Sequence, residues 1–181
     1  MHEDLQRRLQ AALDALPEGA ARAFLESLQQ KLRDSFTPEV LQLHVNTRIQ
    51  LRGSNGELKD ERILRNVICV AGKNLILSAG GTAKYPKDFG YVLIGTNNTA
   101  ETNANTALGA ESARALGTVS NPSANVLRIA HTFPAGVGTG SIVEAGLDYQ
   151  NTPSGAILNR QTFGVITKGA GDSLAMQFDI S

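Results

Sequence analysis

Glu144 sits in an otherwise apolar stretch, Ile142-Val143-Glu144-Ala145-Gly146-Leu147. A carboxylate there has two uses. As an isolated general acid it would need a second carboxylate about 5–10 Å away across a cleft to cleave a glycan, and Glu111, Asp148 and Asp172 are the acids available for that role. As a structural group it would accept backbone N–H groups or pair with Arg114, Arg128 or Arg160, the arginines of this charge-poor half. The structural use is the expectation, with Glu144, Arg114 and Glu111 as a charge cluster. A buried pair of this kind is costly to break, about 3–5 kcal/mol when one partner is removed.

Other chemistry finds less support. Gly136-Val137-Gly138-Thr139-Gly140-Ser141 has the glycines of a phosphate loop, but the position that needs lysine is Gly140, and the residues that follow read as strand rather than helix. Of the three histidines, His2, His44 and His131, neither His44 nor His131 has a carboxylate at metal-ligand spacing, and no Gly-x-Ser-x-Gly elbow is present to support a Ser-His-Asp triad. Cys69, the single cysteine, lies in Val67-Ile68-Cys69-Val70 and reads as an inert buried thiol. The expectation is a chain with no catalytic, cofactor-binding or metal-binding residues.

The elements that would position Glu144 are mainly strands. From Leu41 to Arg52 apolar and polar residues alternate, which predicts a half-buried strand. Gly53-Ser54-Asn55-Gly56 predicts a hairpin turn with positive φ at Asn55 and Gly56. A returning strand is expected from Leu58 to about Val70, weakened by Lys59-Asp60-Glu61-Arg62, with a short helix over 71–77 ended by Gly80-Gly81. Tyr91–Ile94 reads as a buried strand, 97–106 as an exposed polar loop, and 108–116 as a helical turn or irregular crossing. Further strands are expected over 126–133, 141–147, 156–163 and 174–180. Regular strand spacing with Gly-rich turns predicts a mainly β domain over 40–181, an antiparallel β-sandwich or partly closed barrel. Its expected core is Leu93, Ile129, Ile142, Leu147, Phe163, Leu174, Met176 and Phe178.

Residues 1–36 differ in kind. Leu5, Leu9, Leu13 and Leu16 share one helical face, and Phe24, Leu25, Leu28 and Leu32 another, with Pro17-Glu18-Gly19 between them. Helices this short are marginal alone, so their apolar faces need a partner. They could cap the β-domain or dock elsewhere. The expectation is that Leu5, Leu9, Phe24 and Leu28 pack at a subunit or partner interface.

The 181-residue chain carries 17 basic and 17 acidic residues, and a balanced chain lacks the basic stripe expected of a duplex nucleic-acid binder. No apolar run approaches the roughly 20 residues of a membrane helix, and the acidic start, Met1-His2-Glu3-Asp4, is unlike a secretory signal. Cytoplasmic synthesis, with no membrane and no nucleic acid as partner, is the expectation.

Five segments taken in order carry a resemblance: Tyr91–Thr96; Ala107-Leu108-Gly109-Ala110-Glu111 with Arg114; Thr132-Phe133; Ile142-x-Glu144-Ala145-Gly146-Leu147; and Arg160-x-x-Phe163. Together they resemble the small β-domains of tailed-phage virion proteins of the tail-collar fibre and accessory type. Asn66-Val67-Ile68, Ala71-Gly72-Lys73 and the closing stretch Lys168–Ile180 extend the likeness over about residues 45–181. The chain departs from it in placing Asp148-Tyr149 after Gly146-Leu147, which displaces an aromatic. The resemblance implies a non-enzymatic virion part, tail- or collar-associated, that assembles with itself, often as a trimer, and with other virion proteins. Capsid decoration is the alternative position, and a glycan-binding module or glycan hydrolase is the remoter alternative class.

Overall fold

A computed structural model of the chain describes residues 43–77 and 85–181, with Gly19, Ala23 and Ser27 as single helical, exposed positions before them. The chain divides into two units, Met1–Gln42 and Leu43–Ser181. The expected contacts of Leu5, Leu9, Phe24 and Leu28, and the helix stop at Gly80-Gly81, lie outside the described residues.

The second unit is an antiparallel β-sandwich. Its strands in chain order are β1 (Val45–Arg52), β2 (Leu58–Arg65), β3 (Val67–Ile68), β4 (Tyr91–Gly95), β5 (Glu111–Leu116), β6 (Thr118–Ser123), β7 (Val126–Phe133), β8 (Gly140–Asp148), β9 (Asn159–Lys168) and β10 (Ser173–Ile180). One short helix, α1 (Val70–Leu77), follows β3. The first sheet runs β2-β1-β10-β7-β6 and the second β3-β9-β8-β4-β5. Two faces meet between them. Ile49, Ile129, Leu174, Met176 and Phe178 of the first sheet bury against Val92, Ile94, Ile142, Ala145, Leu147 and Ile166 of the second. Each large side chain taken fully out of water contributes about 1.5–3 kcal/mol.

The clean alternation in β1 and β10 has its expected consequence. Val45, Thr47, Ile49 and Leu51 point inward, as do Leu174, Met176, Phe178 and Ile180, and the two strands pair from Val45↔Ile180 to Arg52↔Ser173. The weak middle of β2 also has an explanation. As an edge strand it turns Asp60 and Arg62 inward beside Leu64, and Arg62 donates to the Gly164 and Val165 carbonyls on the open edge of β9 (2.8 and 3.2 Å). Inward charges on an edge strand oppose pairing with another chain.

Several expectations need correction. Residues 111–116 form β5, not a helical turn or irregular crossing. Glu, Ala, Arg and Leu are good helix formers, but pairing with β4 overrides that preference. Strand β6, over residues to which the sequence assigns no element, is an edge strand exposed along its length, and Pro122, which has no N–H to give a ladder, is tolerated there. The strand expected to run to Val70 stops at Arg65, and the chain passes through Asn66 into the second sheet. Phe163 is half-buried at the margin of the core rather than inside it. In the β1–β2 turn only Gly56 has positive φ (81°). The Gly56 N–H donates to the Gly53 carbonyl (2.9 Å), so the loop is longer than the two-residue hairpin turn expected from Asn-Gly.

Candidate functional site

The inner face of the second sheet belongs to the core, and its outer face carries a second layer. On β8, Ala145 and Leu147 face the first sheet, so Glu144, Gly146 and Asp148 project to the other side. The chain returns over that side as the loop 96–110. Glu144 is fully buried there and binds this loop to the sheet.

Its two oxygens accept four hydrogen bonds. Oε1 receives the N–H groups of Asn97 (3.2 Å) and Ala110 (2.8 Å), and Oε2 receives Gly109 N–H (2.9 Å) and Arg160 Nε (2.8 Å). Arg160, itself 2% exposed, reaches on to the Asn97 carbonyl and Asn105 Oδ1, both at 3.4 Å. A single ion pair thus holds both ends of the loop. Small neighbours make the room: a Cβ on Gly95 would fall 2.5 Å from Glu144 Oε1 and 2.5 Å from the Ala110 carbonyl oxygen. A Cβ on Gly146 would meet the Asn159 carbonyl oxygen at 2.5 Å and Leu108 Cδ2 at 3.3 Å, so Leu108 anchors the loop over a glycine. Glu101 adds a third point of attachment, taking Thr162 N–H (3.3 Å), the Thr162 hydroxyl and Gln161 Nε2 (3.2 Å) on the β9 edge.

Arg114 and Glu111 come together without Glu144. Arg114 donates to both Glu111 oxygens at 2.7 Å and to Asp148 Oδ2 at 3.1 Å, and binds the Gln150 carbonyl. The hydrogen bond that Arg114 donates to Glu111, with the Asp148 charge adding to it, raises the Arg114 pKa, so the guanidinium stays charged in its half-buried setting. Asp148, also fully buried, accepts the N–H groups of Tyr149 (2.7 Å), Gln150 (3.2 Å) and Ser154 (3.3 Å), and so shapes the turn after β8. The expected cluster is therefore two: Glu144 with Arg160, and Arg114 with Glu111 and Asp148. Sequence reasoning named Arg160 among three partners but missed the turn-forming role of Asp148. The signal was the two-residue period that puts 144, 146 and 148 on one face.

The remaining candidates are dispersed. Asp172 pairs with Lys59 (2.8 Å) and accepts Gly169 N–H (2.9 Å); Lys59, first among its neighbours, holds its carboxyl below the usual range. Lys168 is buried, donates to the Pro134 and Asp172 carbonyls (2.9 and 2.6 Å), and has its pKa lowered by desolvation. Burial also pushes the Cys69 thiol up to about 11. His44 is exposed beside β1, and His131 holds the Leu116 carbonyl through Nδ1 (3.1 Å) with its ring edge-on to Phe133. Gly136, Gly138 and Gly140 all take positive φ and lead into strand β8, not a helix. Among the described residues no group of three or more His, Cys, Asp and Glu side chains is placed to hold a metal ion, and no helix is long and apolar enough to cross a membrane.

Comparison with protein-family profiles, curated proteins and solved structures gives no match to this chain.

Proposed function

We propose that the chain is a non-enzymatic structural component of a tailed-phage virion, placed at the tail or collar. One observation carries the reading. The segments behind the family resemblance are far apart in sequence, yet four of them lie in the adjacent strands β5-β4-β8-β9 and the loop that Glu144 holds. The shared residues are those that build the module: Gly95 makes room for the carboxylate, Leu108 anchors the loop, and Arg160 completes the pair. The acids considered for glycan cleavage are engaged in the same way. Glu144 and Asp148 are fully buried with several partners each, and Glu111 and Asp172 are paired with Arg114 and Lys59.

Quantitative mass spectrometry of purified particles tests the proposal. A few to a few dozen copies per particle supports the tail or collar. Hundreds of copies would assign the chain to the capsid surface as a decoration protein. Absence from washed particles overturns both positions.

A further inference from the structure

Where β3 meets β9, the margin of the core gathers amide groups that the rest of the fold leaves unsatisfied. Asn159 is fully buried, yet neither its Oδ1 nor its Nδ2 has a hydrogen-bond partner among the described residues. Asn66 Oδ1 and Gln161 Oε1 are buried and unpartnered as well. Their other amide atoms are engaged: Asn66 Nδ2 donates to the Thr47 hydroxyl (2.6 Å), and Gln161 Nε2 to Glu101 Oε1 (3.2 Å) and the Thr162 carbonyl (3.0 Å). Those bonds fix which end of each amide is left over.

Register brings the three residues together. Asn159 lies between Ile68 on β3 and Leu147 on β8, and both of these pack into the core. Val67 is level with Arg160, so Asn66, one residue earlier, comes level with Gln161. Neighbours across a strand pair sit about 4.8 Å apart and residues two along a strand about 7 Å apart, so the amides surround one small space. Thr47, fully buried on β1, faces it from the first sheet.

We propose that this space is a binding site for buried water, which joins Asn159 on β9 to Asn66 at the crossover between the sheets. The unpartnered atoms are three acceptors, Asn66 Oδ1, Asn159 Oδ1 and Gln161 Oε1, and one donor, Asn159 Nδ2. A ligand that both donates and accepts is therefore needed. One water gives two protons, so it serves at most two of the acceptors, and about two waters cover the set. A metal ion would satisfy the oxygens but leave the Asn159 NH₂ facing a positive charge. Glu101, the carboxylate in contact with these amides, is already taken up by Gln161 and Thr162. Asn66 is half-buried, which gives solvent an entry from the margin.

The water completes a tie that Asn66 begins. At this residue the chain leaves β2 in the first sheet for β3 in the second. Its N–H donates to the Val45 carbonyl (2.9 Å) and its side chain to Thr47, both on β1. A bridge from Asn66 Oδ1 to Asn159 extends that hold to β9, so solvent links the two sheets here. This inference goes beyond the virion reading and is tested on the isolated chain, so the outcome in particles does not decide it.

A crystal structure of the full chain, at a resolution that shows ordered solvent, tests the site directly. Water density should lie about 2.7–3.2 Å from Asn159 Nδ2, Asn159 Oδ1 and Asn66 Oδ1. The proposal is overturned if no density is found there, or if the Asn159 amide has turned onto a protein partner. It is equally overturned by a single ion with six or more oxygen ligands at about 2.3–2.6 Å, the coordination of calcium. Urea unfolding of Asn159→Leu asks the same question in solution. With water bound, the leucine takes a donor and an acceptor from it, and the midpoint should fall by about 0.5–1.5 M. In a dry space the leucine would instead relieve an orphaned amide of similar size, so a midpoint unchanged or raised overturns the proposal. Cross-peaks between water and the Asn159 side-chain amide protons in the ¹⁵N-labelled wild-type chain serve where Asn159→Leu impairs folding; they are expected, and their absence overturns the proposal.

Discussion

Replacing Glu144 with Gln keeps the shape of the side chain and removes its charge. The carboxylate accepts two hydrogen bonds at each oxygen, so the new NH₂ must face two donors in either orientation: Asn97 and Ala110 N–H, or Gly109 N–H and Arg160 Nε. Two of four bonds are lost, donors are set against donors, and Arg160 is left charged at 2% exposure. One-sided removal of a buried pair costs about 3–5 kcal/mol. That is a large part of the roughly 5–15 kcal/mol that holds a typical domain folded. At about 2 kcal/mol per molar urea, the midpoint followed by far-UV circular dichroism should fall by about 1.5–2.5 M. Arg160→Met should be comparably damaging, and the double variant should be about 1–3 kcal/mol less destabilised than the sum, because the partners fail together. Hydrogen exchange should quicken at the Asn97, Gly109 and Ala110 amides before the rest of the sheet. A Glu144→Gln chain within about 1 kcal/mol of the wild type would refute the clamp, since even one lost charge-assisted bond should cost more.

Three further outcomes follow from the same packing. Phe178→Ala should cost about 3–5 kcal/mol in urea unfolding because the ring is fully buried, whereas Gln177→Ala should change stability by less than about 0.5 kcal/mol; equal effects would contradict the alternation of β10. Cys69, with its thiol pushed up to about 11 by burial, should react with a disulfide reagent at neutral pH only as fast as the domain opens, and immediate stoichiometric reaction would contradict its placement. Asp60, Asp172 and Asp179 are held below the usual carboxylate range chiefly by hydrogen bonds from Arg62, Lys59 and Arg128 respectively. Because their folded pKa values lie below the unfolded ones, their contribution is complete above the unfolded value of about 4 and is lost as pH falls through the folded values. The thermal midpoint should therefore hold steady from neutral pH to about 5 and drop below about 4, with a smaller drop in Asp179→Asn; a midpoint unchanged at about pH 3 would contradict this.

The parts of the fold legible in the sequence were those written in local period. Alternation fixed the faces of β1 and β10, and the Gly-rich segments marked turns. Strand β5 was hidden because its residues favour helix in isolation, and only the edge of β4 makes them a strand. The site shows the same division. Glu144 stood out as an acid in an apolar run, but its partner depended on strand order. Register puts both Arg160 and, through Leu93, Arg114 level with Gly146, and Arg160 is the nearer because β9 adjoins β8 while β4 lies between β8 and β5. Such an order is set by contacts between distant strands and leaves no local mark. Thus Arg114, nearer in sequence to the loop Glu144 binds, pairs instead with Glu111 and Asp148.

A cryo-electron microscopy reconstruction of purified particles tests most directly the proposal that this sandwich is a built-in part of a tailed-phage particle. Density at the tail or collar should accept the two five-stranded sheets, with the loop 96–110 closed over the second. Particles in which no site accepts the sandwich, although the chain is produced in the infected cell, would contradict it.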